Sequence, residues 1–201
     1  MKNRSLKLVT VMAIALLIFS GCAKVPQMEI DNAKAAIEAV RASGVEVYVA
    51  DAFGALNDSM NVALESITAK NSKMFKNFKN ETAQLVAVVS QAAAVQAAGD
   101  EKISQLKAEI EKIVGAITTK IEESKNLVLQ APKGKEGNTA LMAIKADIAS
   151  VETSLDELKT VVGTENYIQS LNKIKAVDTQ ISSIKSELET VIEKFKSKTK
   201  K

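Results

Sequence analysis

The chain is expected to be all-α, an elongated antiparallel helical bundle or coiled-coil hairpin with a short N-terminal helix. Three observations predict this. Its 201 residues include only 8 Gly, 2 Pro and 3% aromatics, so turns are few. Ala, Glu, Lys, Leu and Ser dominate, and these favour helices over strands. Apolar residues recur at three- and four-residue spacing along most of the chain, and every seven residues near its end, which specifies helices packed side by side. The Pro and Gly cluster at 132–137 marks a reversal, and a reversal lets two long apolar stripes face each other. A lone extended helix would leave its Ile and Leu side chains in water, at about 1.5–3 kcal/mol each.

The first 21 residues stand apart from this pattern. Lys2, Arg4 and Lys7 precede an uncharged run, 8–19, and then Ser20-Gly21-Cys22. A basic start, a short apolar stretch and small residues before a cleavage point make a secretory signal. A bilayer span needs about 20 apolar residues, more than this run supplies. Cleavage removes three of the 27 basic residues and no acidic one, leaving 24 against 24 in 22–201. The net charge of +3 therefore belongs to the export signal and gives no argument for a nucleic-acid partner.

Phe19-Ser20-Gly21-Cys22 resembles the bacterial lipoprotein box, with Phe19 where Leu is usual. The resemblance implies cleavage before Cys22 and attachment of a diacylglyceryl group to its thiol. Acyl chains contribute about 0.8 kcal/mol per buried CH₂, so two or three hold a protein to the membrane almost permanently. Such lipoproteins are retained at the inner membrane by Asp after the cysteine. Ala23 stands there instead, which implies the outer membrane. Residues 22–25 are then a lipidated linker.

A first helix is expected over about 26–42. Pro26 suits a helix start, where its missing N–H costs nothing, and Ile30, Ala33, Ile37 and Val40 form one face. Gly44 is a candidate left-handed cap, and 45–50 is a short apolar connector. A long run follows over 51–129. Phe53, Leu56, Met60, Ala63, Ile67 and Met74 keep a 3-4 rhythm, and Phe78, Leu85, Val89 and Ala92 continue it after a drift. Ile103, Leu106, Ile110, Ile113, Ile117 and Ile121 resume the rhythm beyond Gly99-Asp100, where either a kink or a full turn fits the pattern.

The run at 139–197 is predicted to fold back along 51–129, with the first helix capping one end. Leu141, Ile144, Ile148, Val151, Leu155, Leu158 and Val162 fall at 3-4 spacing. Gly163-Thr164 is a cap-and-restart or a weak point. Tyr167, Ile174, Ile181, Leu188 and Phe195 then recur every seven residues, accompanied by Val177, Ile184 and Val191. The bundle is expected over 26–197, with a basic tail at 198–201.

The segment 33–53 resembles alanine-rich helical lipoproteins that carry an uncharacterised domain of bacterial envelopes. The resemblance rests on Gly44-Val45-Glu46, Tyr48, Asp51 and Phe53, set against a pattern of Gly-Ala-Glu and Tyr-Ala-Pro-Glu/Asp before a long helix. Val49 and Ala50 stand where that family has Ala and Pro. It implies a periplasm-facing helical protein and brings no activity.

Candidate chemistry is sparse. With no His and one Cys, a Ser-His-Asp relay, a His metal site and an internal disulfide are all excluded. Paired carboxylates (Glu109 and Glu111, Glu122 and Glu123, Asp156 and Glu157) resemble a glycosidase pair only in composition. Each has Lys at helical spacing, as in Glu109–Lys112, Glu122–Lys125 and Asp156–Lys159, so solvated faces are expected. Gly134-Lys135-Glu136-Gly137 lacks the strand that a phosphate loop requires. Tyr48 either binds a ligand or pins a helix start against the bundle. No cofactor is expected.

Two segments carry functional expectations. The uncharged 82–99 either packs within the bundle, self-associates, or inserts into a membrane, although Gln84, Ser90, Gln91 and Gln96 weaken insertion. Lys194, Lys196, Lys198, Lys200 and Lys201 crowd the end of the chain, and electrostatic contact with anionic headgroups or cell-wall polymer is expected there. The sequence-level reading is a non-enzymatic, membrane-anchored envelope lipoprotein. It acts as a spacer or interaction module for an envelope protein or the cell wall, or else as a membrane-active protein inserting 82–99.

Overall fold

The computed structural model describes residues 24–131, 135–163 and 166–198. Within them lie α1 (Gln27–Ser43), a 3-10 turn (Val45–Val47), α2 (Ala50–Asn71), α3 (Lys79–Gln130), α4 (Lys135–Val161) and α5 (Tyr167–Lys198), with no strand among the described residues. The protein is an all-α helical bundle. Its contacts divide it into two compact units. One comprises the described residues through Ala39 together with Gly54–Ala92, and the other Val40–Phe53 together with the chain from Ala93 onward.

In the first unit α1 buries the predicted face of Ile30, Ala33 and Ile37. Pro26 lies just before the first helical residue, and its carbonyl accepts the Ile30 N–H at 3.1 Å. Leu56, Met60, Ala63 and Ile67 of α2 and Phe78, Leu85, Val88 and Ala92 complete the apolar interior. Val88 takes the buried place expected for Val89, which is half-buried.

The expected continuous run over 51–129 is broken where its rhythm drifts. α2 ends at Asn71 and α3 starts at Lys79, so Met74 leaves the buried stripe and lies at a hairpin apex. The side chain of Asn77 forms the start of α3, its Oδ1 accepting the Lys79 N–H at 3.0 Å, which satisfies one of the orphan donors of a helix start. Across this hairpin Glu81, only 2% exposed, accepts from Lys70 Nζ and Ser66 Oγ at 2.8 Å each. The Lys70 hydrogen bond holds the Glu81 carboxyl below its ordinary pKa, outweighing the opposing effect of burial.

In the second unit α3 runs unbroken through Gly99. Neither a turn nor a helix end occurs there, because this glycine answers a packing need. A Cβ at Gly99 would collide with Val45 Cβ and stand 2.9 Å from its Cγ2. Val45 is buried against that bare backbone. The expected left-handed residue is Gly44, with φ 72° and its N–H donating to the Arg41 carbonyl at 3.0 Å.

The expected returning limb at 139–197 is two helices, the cap-and-restart alternative at Gly163. α4 ends at Val161, Gly163 turns with φ 101°, and α5 restarts at Tyr167. Lys125 of α3 bonds Glu152 of α4. Glu109, Lys120 and Glu123 meet Lys175, Asp178 and Lys185 in ascending order, so α5 runs parallel to α3 and α4 runs against both. Leu141, Ile144, Ile148, Val151 and Leu155 are buried as predicted, as are Ile174, Val177, Ile181, Ile184 and Leu188. Near the end of α5 the buried residue is Ile192, with Val191 half-buried. The loop predicted at 132–137 is shorter than expected, since α4 begins at Lys135 and includes Gly137. Residues 132–134 lie outside the described residues.

Candidate functional site

Cys22, the strongest functional expectation, lies outside the described residues, as do Lys200 and Lys201. Lys194 and Lys196 are exposed in the last turns of α5, and neither is without a partner. Lys198 is the last residue of that helix rather than part of a separate tail.

Of the candidate carboxylates, Glu109, Glu122, Glu123 and Asp156 form ion pairs. Glu122–Lys125 at 3.3 Å and Asp156–Lys159 at 3.0 Å form along their helices as expected. Glu109 instead reaches across to Lys175 at 2.7 Å. The hydrogen bonds that Lys125 donates, to Glu152 first and Glu122 second, raise its pKa, and the one that Lys185 donates to Glu123 does the same for Lys185. Glu109, Glu122, Glu123 and Asp156 thus each face a lysine ammonium.

A shallow cleft of about 270 Å³ lies between α3 and α4, lined by Lys125, Val128, Leu129, Lys145, Ile148 and Glu152 among others. Its ionic wall is the Lys125–Glu152 pair, so those two groups are turned toward each other. Among the described residues no three His, Cys, Asp or Glu side chains gather to hold a metal ion.

Tyr48 is a positioning residue within the second unit. Its hydroxyl accepts the N–H of Tyr167, the first residue of α5, at 3.2 Å, and the two rings lie 6.4 Å apart. Lys107 Nζ stands 5.0 Å from the Tyr167 ring centre, over its face. Asn166 Oδ1 accepts the next N–H, that of Ile168, at 2.8 Å. Two of the four orphan donors at this helix start are therefore satisfied, one by a residue far away in sequence.

The segment 82–99 presents one buried line, Leu85, Val88, Ala92, Val95 and Gly99, while Val86 and most of its Ala and Gln residues face solvent. Among the described residues no helix is long and apolar enough to cross a membrane.

The sequence reading missed the apex of the α2–α3 hairpin. Met74 and Phe75 are each 92% exposed there, with Lys70, Lys73, Lys76 and Lys79 at every third position around them. The available signal was this even spacing of lysines about an adjacent Met-Phe pair.

No known protein family, curated protein or solved structure matches this chain.

Proposed function

We propose that this protein is a lipoprotein of the bacterial envelope, anchored through acylated Cys22 and facing the periplasm from the outer membrane. Its helical bundle serves as a spacer or interaction module without catalysis. The observation that carries the reading is Phe19-Ser20-Gly21-Cys22 directly after a basic and apolar leader, in a chain with no other cysteine. A thiol with no possible internal partner, placed at a signal cleavage point, is suited to acylation rather than to a disulfide. Kinship with the alanine-rich helical lipoproteins is part of the same proposal and rests on 44–53. The ion-paired carboxylates and the apolar seams suit a structural role. Partners of such a module are envelope proteins, cell-wall polymer or a second copy of the chain.

Mass spectrometry of the native protein tests the anchor. The expected result is loss of residues 1–21 with acyl mass on Cys22. Cys22→Ser should move the protein from the membrane fraction to the soluble fraction. Equal membrane retention of that variant would overturn the proposal.

A further inference from the structure

Single exposed apolar side chains are ordinary on a protein surface. An adjacent pair at a hairpin apex is different, because apices are normally built from small and polar residues. Ser72–Phe78 contains no Gly or Pro. Its shape comes from polar groups: Lys70 Nζ donates to the Asn77 carbonyl at 3.2 Å and Lys76 Nζ to Asn71 Oδ1 at 2.8 Å. Phe78 turns inward and is buried, whereas Met74 and Phe75 point away from the bundle. The hairpin thus holds two large apolar side chains in water by means of its own hydrogen bonds.

The charge around them is one-sided. Four lysines and no acid occupy 70–80, and the next acid, Glu81, is paired with Lys70. Lys73, Lys76 and Lys79 are exposed. The acids at the start of α1 are Glu29 and Asp31, and Asp31 accepts from Gln27 at 2.9 Å. An apolar tip within a basic ring matches the chemistry of an anionic bilayer surface, in which aromatic side chains sit at headgroup depth and lysines stay among the phosphates.

The topology of the first unit puts this tip at the right end. α1 joins α2 through a short corner at the far end of both, and α2 joins α3 through the tip, so in this three-helix unit the start of α1 and the tip share one end. Cys22 precedes Gln27 by five residues, which span at most about 18 Å. A lipid on Cys22 would therefore bring the bilayer to the end of the unit that carries Met74 and Phe75.

We infer that the α2–α3 apex is a second membrane contact, in which Met74 and Phe75 enter the interfacial layer of an anionic bilayer and Lys73, Lys76 and Lys79 bind its phosphates. The inference takes its direction from the Cys22 anchor proposed above, but the tip chemistry stands on its own. With lipid and tip both engaged, the first unit is held to the surface at two points and its orientation is restricted.

The chain has no Trp, so Phe75→Trp introduces a single indole that reports the tip. The native acylated protein and the full-length Cys22→Ser chain, each carrying F75W, are mixed with vesicles of phosphatidylglycerol and phosphatidylcholine or of phosphatidylcholine alone. On anionic vesicles the expected emission shifts to the blue and is quenched by brominated lipid, with roughly thirty-fold weaker binding of the Cys22→Ser chain once Lys73→Gln and Lys76→Gln are added. Val62→Trp, mid-way along α2, should keep a water-like emission. An F75W indole that stays water-like and fully open to iodide in both proteins overturns the tip. The anchor is judged separately, by acyl mass on the native protein. If that mass is missing, the emission of the Cys22→Ser chain still decides the tip.

Discussion

Gly99 shows how one residue can look like a break and be a contact. A glycine inside a helix costs about 1 kcal/mol relative to Ala, which invites reading it as a helix end. Here the missing Cβ lets Val45 lie against the backbone of α3, a contact that any side chain at 99 would block. Gly99→Ala should therefore destabilise the protein by about 1–3 kcal/mol, because the clash falls on a β-branched side chain with little freedom to move. Adding Val45→Ala should recover part of that loss. Denaturant melts of the two variants and the pair give the answer, and a Gly99→Ala protein as stable as the parent would refute the packing role. At Gly54, where a Cβ meets nothing within 4 Å, the same change should stabilise by a few tenths to about 1 kcal/mol.

At the scale of helices, the seams were legible and the breaks were only partly so. The stripes of α1, α4 and α5 follow from spacing alone, since a residue every 3.5 positions must share a face with its neighbours. The restart at Gly163 was legible as well, because a glycine after a long apolar run suits a left-handed turn. The break at 72–78 showed only as a drift in the apolar rhythm, since the turn has no Gly or Pro and is made by Asn and Lys hydrogen bonds. The same hairpin makes α2–α3 pairing sensitive to acid. Glu81 has a lowered folded pKa, chiefly from Lys70, so its contribution is complete above its unfolded pKa and is lost as pH falls through the folded value. Glu81→Gln should lower stability at pH 7 by about 1–3 kcal/mol, and the gap to the parent should begin to narrow as pH falls below about 4. A gap that stays constant from pH 7 to pH 3 would show that the charge on Glu81 contributes nothing. Lys125 and Lys185 carry the opposite sign. Their ion pairs raise their pKa values, so this contribution is complete below the unfolded lysine pKa and fades as pH rises through the folded one.

At the scale of the molecule, the two units share α3 but not the quality of their interiors. The second unit closes on Leu106, Ile110, Ile117, Ile121, Leu155, Ile174, Ile181 and Leu188, with Ala131 the one Ala in its cluster. The first relies on Ala33, Ala63 and Ala92 among its buried positions, and Ala returns far less apolar area than Leu or Ile. Its helix α2 also carries Gly54 in open space, at about 1 kcal/mol. Local opening should accordingly be easier in α2 than in α5. Hydrogen exchange at neutral pH is expected to release the central amides of α2, around Met60, before those of α5 around Ile181. Leu155→Asp would put an unpaired charge into the second interior and should cut the protection of α5 by about 2–4 kcal/mol. Amides of α2 and α5 exchanging together, with and without that substitution, would mean that the whole chain opens in one step and that the difference between the two interiors has no thermodynamic consequence.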